Sequence, residues 1–419
     1  MIPRRQVLAG MAAAFLPSPP PPEETQGARA LKITGVETFA VKNPPPTRGG
    51  KTWVFLKLLT DRGPVGYGEV DMQGIPFGAR AVETLVKDLV EAAVVGSNPY
   101  RIERLYEKLY GLHYGRTSEF TKMGVISAIE MACWDIVGKD VGRPVYELLG
   151  GAVRDRLRTY SYLYPSTDDG PAALWKDPAA CAERAKAYKD LGFTAVKFDP
   201  IMSTSTPVEQ RQFVPYQESP KALETAAAVT KAAREAVGND CDLLIGTHGQ
   251  LTAAGAIRLA KRLEPWDPLW FEEPIPPENM TELARVAKAT SIPICAGERL
   301  QTKYEFARLI ELGAAAIFNF DLGGVGGVLE AKKIAALAEA SYLQISPHVY
   351  DGPIVAAASI QIAACCPNFL ILETIDTMGG IHAELLKEPI EWKKGYITPS
   401  TRPGLGYELD EAAARRHAV

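Results

Sequence analysis

The sequence predicts an α/β protein whose larger part is a barrel of alternating parallel strands and helices. The first observation is a series of short apolar runs between residues 243 and 371, each typical of a buried parallel strand. The second is that polar residues end these runs, at intervals of 26, 26, 23, 27 and 25 residues from Gly246 onward. Such an interval holds one strand, one helix and two loops, which is the repeat of a (β/α)8 barrel.

The polar residues at the strand ends are the candidate functional residues. Because the carboxyl ends of barrel strands meet at one mouth, we expect their side chains to converge there. They are Thr247, His248, Glu272, Glu273, Glu298, Arg299, Asp321, His348 and Glu373. The sequence therefore predicts an active site at the barrel mouth.

Length and charge narrow the class of protein. The chain has 419 residues, of which 47% are hydrophobic, enough to fill the cores of two domains. A formal net charge of -4 gives no sign of a nucleic-acid partner, and no apolar stretch is long enough to span a membrane. The six cysteines lack metal-binding or redox spacing, so we expect buried free thiols.

The first 30 residues are expected to be a targeting segment outside the fold. Arg4 and Arg5 precede a short apolar stretch, Val7 to Leu16, and Ala28-Arg29-Ala30 resembles a cleavage site. This pattern predicts a twin-arginine export signal and a periplasmic or secreted protein. The alternative is a disordered tail with a chance arginine pair on a cytoplasmic protein.

The next segment is predicted to be a strand meander followed by helix. Lys32 to Val41 and Trp53 to Leu59 have strand patterns, and Ala79 to Val95 has helical spacing. The loop from Asn43 to Lys51 is rich in proline and glycine. It either covers a neighbouring site or is simply structural.

A helical segment from Met123 to Gly151 carries the clearest resemblance to a known family. Residues 127–130, 133–139 and 144–151 resemble the domain-junction signature of the enolase superfamily, in particular its mandelate racemase-like branch. The resemblance extends from Leu31 to the C-terminus, because the barrel motifs match in order and interval.

This resemblance implies the domain organisation. It implies a modified (β/α)7β barrel over residues 152–373 and an N-terminal α+β capping domain over residues 31–151. Residues 374–419 would return to complete the cap. Within the barrel, Arg158 to Tyr164 is the expected first strand and Phe193 to Asp199 the second.

Two carboxylates at adjacent strand ends predict a metal site. Glu272 and Glu298 would repel each other unless a cation neutralised them, and hard carboxylate oxygens suit Mg2+. The resemblance also implies that these residues bind the metal, but the family's third ligand is normally an Asp where this chain has Gly246. Either the metal keeps these two carboxylates plus water, or another oxygen replaces the missing one. Asp199 is the candidate replacement, because strand periodicity directs Lys197 and Asp199 inward. Alternatively, Asp199 is a solvated residue before a proline.

A second pair of strand-end residues predicts a general base. A carboxylate beside an imidazole fixes its tautomer and raises its basicity, and Asp321 and His348 are placed for such a pair. By resemblance, this dyad would remove the proton next to a substrate carboxylate. Lys197 would bind that carboxylate or steady the enediolate, and Glu373 would hydrogen-bond a substrate hydroxyl.

His248 distinguishes the subclasses of the family. It lies two residues beyond Gly246, on the same inward side, and a matching histidine in galactonate dehydratase-like members protonates a departing hydroxyl. Racemases of the branch carry Lys-x-Lys on the second strand, where this chain has Asp199 at the second lysine position. We therefore expect elimination by one base and not racemisation by two.

The function expected from the sequence is Mg2+-dependent dehydration of an acid sugar to a 2-keto-3-deoxy acid. The expected partners are a small-molecule acid sugar and further copies of the same chain in a homo-oligomer, with neither nucleic acid nor membrane. The alternatives are an epimerase, racemase or cycloisomerase on an acid sugar or its lactone, and a non-catalytic sugar-acid binding protein with a degraded metal site. His382 and His417 lack supporting spacing and are expected at the surface. The extended loop predicted from Ile201 to Ser219 would shape substrate access or be a harmless insertion.

Overall fold

The computed structural model describes residues 31–112, 115–165, 174–201 and 215–419. The export signal predicted over residues 1–30 and most of the loop predicted from Ile201 to Ser219 lie outside the described residues. Both stay predictions. Within the described ranges, no helix is long and apolar enough to cross a membrane. All six cysteines are buried and free, as the sequence predicts.

The cap is an antiparallel sheet in the order β1–β2–β3 with helices packed against it. Its elements are β1 (Ile33–Lys42), β2 (Thr52–Thr60), β3 (Gly66–Val70), α1 (Ala79–Leu89), which continues in a π-helical turn (Val90–Val94), α2 (Ile102–Tyr110), α3 (Phe120–Val141) and α4 (Val145–Leu148). Glycine in β3 lets α3 approach closely, since a Cβ on Gly68 would lie 1.9 Å from the carbonyl oxygen of Ala128. The predicted helical segment 123–151 contains two helices, α3 and α4. Helix α3 ends before Gly142, which adopts a φ of 70°.

The barrel alternates parallel strands with helices. Its elements are β4 (Leu157–Tyr162), α5 (Pro178–Leu191), β5 (Ala195–Phe198), α6 (Pro220–Val237), β6 (Asp242–Gly246), α7 (Ala253–Leu263), β7 (Trp270–Glu272), α8 (Met280–Ala289), β8 (Ile294–Ala296), α9 (Lys303–Leu312), β9 (Ile317–Phe318), α10 (Val328–Ala340), β10 (Gln344–Ile345), α11 (Pro353–Cys365) and β11 (Leu372–Thr374). Neighbouring strands pair in parallel from β4 to β10, and β11 returns to pair with β4. A bridge between Ile345 and Phe369 completes the ring. The predicted (β/α)7β barrel is confirmed.

Two layers of side chains fill the inside of the barrel. An apolar cluster lies below, formed by Tyr160, Ala195, Leu244, Trp270, Cys295, Ile317 and Ile371. Because side chains two residues apart share one face of a strand, the next inward positions form a second, polar layer. We call Tyr162, Lys197, Glu272, Asn319 and Glu373 the polar layer. It lies at the carboxyl ends of the strands, on the side of the barrel mouth.

The C-terminal segment returns to both domains. It contains α12 (Ile381–Glu384), a hairpin of β12 (Trp392–Lys393) and β13 (Tyr396–Ile397), and α13 (Glu411–Arg416). Strand β13 pairs antiparallel with β4 at the start of the barrel. The last residues extend the cap sheet, because Val419 N donates to Ala40 O at 3.0 Å. The segment therefore completes the cap as predicted.

One histidine of this segment corrects a sequence-based expectation. His382 is only 3% exposed, so the prediction that it lies at the surface is wrong. Its Nε2 lies 2.9 Å from the carbonyl oxygen of Asp351, and its ring is 5.0 Å from that of Trp53. Burial lowers the pKa of His382 to about 4. The cap packs over α12, and this contact between distant segments has no local sequence signal.

Two buried glutamates of the cap join it to the barrel. Glu69 in β3 accepts hydrogen bonds from the backbone N–H groups of Gly352, Ile354 and Val355 at the start of α11, at 2.6 to 3.0 Å. Glu130 in α3 does the same for α10, whose Val328 and Leu329 donate at 2.7 and 2.9 Å. Each carboxylate thereby satisfies unpaired helix N–H groups and complements the helix dipole.

The loop from Asn43 to Lys51 rests on the barrel mouth. Arg48 forms an ion pair with Asp376 and donates to the carbonyl oxygen of Pro165 at 2.7 Å. Its guanidinium also lies 4.8 Å from the centre of the Tyr164 ring. The loop is therefore anchored at the barrel mouth, a position that suits either a cover over the site or a structural role.

Candidate active site at the barrel mouth

His348 and Asp321 form the predicted dyad. The Nδ1 of His348 lies 2.6 Å from Oδ2 of Asp321, and Gly323 N donates to Oδ1 at 2.6 Å. A backbone bridge between the two residues holds the strand ends at which they lie together. Because Asp321 accepts the Nδ1 proton, Nε2 is the atom of the neutral imidazole that can accept a further proton.

Carboxylates surround the Nε2 atom of His348. It lies 3.5 Å from Glu298 Oε2 and 3.8 Å from Glu373 Oε2. Burial opposes the charged imidazolium, but these carboxylates and Asp321 outweigh it and raise the pKa of His348 to about 10. Burial disfavours the charged form of Glu298, but nearby cations, led by His348 and His248, outweigh burial and lower the pKa of Glu298 to about 2. The dyad is thus a strong base beside an ionised carboxylate.

Lys197 provides a cation at the centre of the polar layer. Its Nζ lies 2.6 Å from Glu373 Oε1 and 3.2 Å from Glu272 Oε1, and the residue is only 2% exposed. The rings of Tyr160 and Tyr162 flank the ammonium, with centres 5.3 and 5.1 Å away. Burial disfavours the charge, but the two carboxylates outweigh it and raise the pKa of Lys197. The lysine is therefore an ammonium at neutral pH.

Both oxygens of Glu272 accept hydrogen bonds from the protein. Oε1 accepts from Lys197 and from Asn319 Nδ2, the latter at 2.8 Å, and Oε2 accepts from Trp270 Nε1 at 3.1 Å. Burial raises the pKa of Glu272 to about 8, and the Lys197 ammonium opposes that shift most strongly. Sequence reasoning missed Asn319 and Trp270. The period of a strand could have found them, since they lie two residues before Asp321 and Glu272.

Position 246 has no room for the missing carboxylate. A Cβ on Gly246 would lie 2.7 and 2.8 Å from Cγ and Cδ of Lys197 and 2.8 Å from the hydroxyl of Tyr162. That hydroxyl donates to the carbonyl oxygen of Gly246 at 2.5 Å. The space that an aspartate would need is thus occupied by side chains of β5 and β4.

Asp199 pairs with the predicted acid. It is fully buried, and its Oδ2 accepts from Gln250 Nε2 at 2.7 Å and lies 3.7 Å from Nδ1 of His248. Its Oδ1 accepts from Ile201 N at 2.9 Å. The side chain of His248 is 44% exposed and faces solvent. Desolvation opposes the shift, but Asp199 and Glu298 raise the pKa of His248. His248 is therefore suited to hold a proton at the mouth.

The residues predicted to hold Mg2+ do not fit that ion as they are arranged. Mg2+ demands a near-octahedral shell of oxygens, part of which water supplies, so each protein carboxylate that binds it must have a free oxygen to offer. Position 246 offers no side-chain oxygen, Glu272 already accepts three N–H bonds, and Asp199 is bonded to its own loop. Among the described residues, a different set has ligand atoms within 4.8 Å of one another: Asp321, His348 and Asp351. A cation there would compete with the hydrogen bond of the dyad.

The cap and the barrel each match a known protein family. Residues 34–150 match the family described as mandelate racemase / muconate lactonizing enzyme, N-terminal domain. Residues 180–413 match the family described as enolase C-terminal domain-like. The chain belongs to the enolase superfamily. The resemblance of the sequence motifs is thereby confirmed.

Relatives of this superfamily member include dehydratases. The D-galactonate dehydratase of Ralstonia nicotianae is 37% identical over 391 residues, which cover 91% of this chain and 93% of that protein. That of Xanthomonas euvesicatoria pv. vesicatoria is 35% identical over 395 residues, which cover 92% and 94%. The predicted class of enzyme, a hydro-lyase, is confirmed by these relatives.

Solved structures share the whole architecture. A protein of Labrenzia alexandrii, provisionally described as a mandelate racemase/muconate lactonizing enzyme, is 51% identical with a TM-score of 0.87 and covers 92% of this chain and 97% of its own. The mandelate racemase/muconate lactonizing enzyme of a Sulfitobacter species is 43% identical with a TM-score of 0.87, at 93% and 96% coverage. The barrel and its cap are therefore a shared fold.

Proposed function

We propose that this enzyme removes water from an acid sugar and forms a 2-keto-3-deoxy acid. The observation that carries the proposal is the His348–Asp321 dyad, with Nε2 of the imidazole beside Glu298 and Glu373 at the mouth. The D-galactonate dehydratase relatives support the substrate class. No step of the proposal passes through the Mg2+ ion that the sequence predicts.

The first step is removal of the α-proton. Neutral His348 takes the proton from the carbon next to the substrate carboxylate, and the electron pair of that C–H bond moves into the carboxylate to form an enediolate. Asp321 holds the imidazole in the required tautomer. The Lys197 ammonium binds the carboxylate and stabilises the negative charge that develops on it.

The second step is loss of the β-hydroxyl. The electron pair of the enediolate returns to form a double bond between the α and β carbons while the β C–O bond breaks. His248 gives its proton to the departing hydroxyl, which leaves as water, and Asp199 then neighbours a neutral imidazole. The enol product tautomerises to the keto acid. Glu373 accepts a hydrogen bond from another substrate hydroxyl.

Two other functions predict different products. An epimerase or cycloisomerase would share the enediolate but return a proton without losing water. A non-catalytic binding protein would bind an acid sugar and leave its α-proton in place. The half-exposed His248, paired with Asp199, favours elimination because it places a proton donor at the mouth.

A screen of an acid-sugar library for keto-acid formation tests the proposal. We expect at least one acid sugar to yield a 2-keto-3-deoxy acid with the purified wild-type enzyme. In D2O, the His248→Asn variant should still exchange the α-proton of that substrate but form little keto acid. Proton exchange without a keto acid in the wild type would instead indicate an epimerase, and no reaction with any acid sugar would contradict the proposal.

A further inference from the structure

The polar layer of the barrel contains a cation supplied by the chain itself. Lys197 Nζ contacts carboxylates on two other strands, Glu272 in β7 and Glu373 in β11, at 3.2 and 2.6 Å. We propose that the Lys197 ammonium takes the place of the divalent cation at Glu272, and that turnover does not depend on a divalent metal. This inference rests on the proposed dehydration.

Space at the strand ends supports the replacement. The stem of Lys197 lies where the side chain of a third metal ligand would start, 2.7 Å from a Cβ built on Gly246. A real Cβ does not come so close to another carbon, so this position of the lysine and a carboxylate at 246 exclude each other. The absence of a side chain at position 246 therefore leaves room for the stem of Lys197, and this stem carries the ammonium inward.

Charge at the mouth supports it as well. Adjacent carboxylates repel one another unless a cation lies between them. Here cationic side chains of the protein neutralise the carboxylates. Lys197 contacts Glu272 and Glu373, and Arg299 donates from Nε to Glu273 at 2.5 Å. The imidazole of His348 faces Glu298 at 3.5 Å.

The ammonium also has a donor for the substrate. A lysine ammonium carries three N–H donors, and the two glutamates take two of them. The third would meet the substrate carboxylate. When His348 removes the α-proton, one negative charge develops on that carboxylate, and a buried positive charge stabilises it more strongly than water would.

Metal titration of the wild-type enzyme is the first test. After dialysis against EDTA, we expect no saturable binding of Mg2+ or Mn2+ by calorimetry at millimolar concentration, and unchanged keto-acid formation in EDTA. Saturable binding together with a loss of turnover in EDTA that Mg2+ restores would overturn the inference. Because the titration needs no substrate, it is decisive even where no acid sugar reacts and the proposed dehydration itself fails.

A double variant is the second test. Lys197→Ala/Gly246→Asp removes the stem and adds the third carboxylate, so we expect it to bind Mn2+ where the wild type does not. Lys186→Ala, at an exposed lysine of α5, is the matched control and should bind no Mn2+. A double variant that folds and binds no more Mn2+ than the wild type would overturn the inference.

A third variant covers the case in which the double variant does not fold. Lys197→Met keeps the volume of the stem and removes its charge. Lys197→Met/Glu272→Gln also removes one of the two carboxylates that are left without their ammonium partner. We expect either variant to lower keto-acid formation about 100-fold or more, with no recovery in Mg2+. Full recovery in Mg2+ would show that a metal does the work assigned to the ammonium.

Discussion

The imidazole of His348 and the carboxylate of Asp321 lie in hydrogen-bond contact, with Nδ1 and Oδ2 2.6 Å apart. His348→Asn keeps a polar group at this position but cannot take up a proton. We expect it to lower kcat/KM for dehydration by about 10³-fold and to abolish α-proton exchange in D2O.

The matched control for this variant is His417→Asn, since His417 directly follows the last helix and lies beside Glu384, far from the barrel mouth in the C-terminal segment. The control should react like the wild type. Calorimetric titration with the acid sugar should show that His348→Asn still binds it. Wild-type turnover in His348→Asn would contradict the assigned base.

The pH profile should move when Glu298 loses its charge. The pKa of His348 is raised to about 10 in part by Glu298, and below its pKa the imidazolium cannot accept the α-proton. kcat/KM should therefore fall as the pH drops. Glu298→Gln lowers the pKa of His348, so the acidic limb should shift to lower pH. Values of kcat/KM measured across the pH range test this shift, with a variant at an exposed residue, Glu311→Gln, as the control. An acidic limb at the same pH in Glu298→Gln and the wild type would contradict the prediction.

Gly246→Ala should be destabilising. Its Cβ would fall within 2.8 Å of Lys197 and of the Tyr162 hydroxyl, so side chains of the polar layer would have to shift. We expect the free energy of unfolding to drop by about 1 to 3 kcal/mol. Gly78→Ala is the control, because φ there is -71° and nothing lies within 4 Å of the added Cβ. Equal urea midpoints for the two variants would be the opposing result.

His382 should make the fold sensitive to acid. Its pKa is lowered from 6.5 to about 4 by burial, so the unfolded chain binds the proton more readily. The stability that neutral His382 contributes is present above pH 6.5 and is lost as the pH falls through 4. The linked loss is about 3 kcal/mol.

Urea unfolding at pH 7 and pH 4 measures this effect. His382→Phe cannot titrate, so the variant should lose less stability between the two pH values than the wild type does. His417→Phe should behave like the wild type. Equal losses for His382→Phe and the wild type would argue against the buried neutral imidazole.

Sequence periodicity predicted the barrel and most of its mouth. Strand ends at regular intervals placed Glu272, Glu298 and His348 correctly at one mouth, because the repeat of a barrel fixes where each strand ends. Periodicity could not predict contacts between side chains of non-adjacent strands. Nothing local in the sequence indicates that Lys197 crosses to Glu373, since that contact depends on how the ring closes.

Expectations failed where the two domains meet. His382 lies in a short helix of four residues, and its burial comes from Trp53, more than 300 positions earlier in the chain. Long-range packing of this kind has no signature in a single sequence.

The helix-capping role of Glu69 and Glu130 has a consequence for how a substrate reaches the mouth. If the cap swung away from the barrel as a rigid body, the N-terminal amides of α10 and α11 would lose their buried carboxylate acceptors. We therefore expect cap and barrel to melt in a single transition. We expect entry to the mouth to depend on release of the Arg48–Asp376 ion pair in the loop from Asn43 to Lys51, and not on a hinge between the domains.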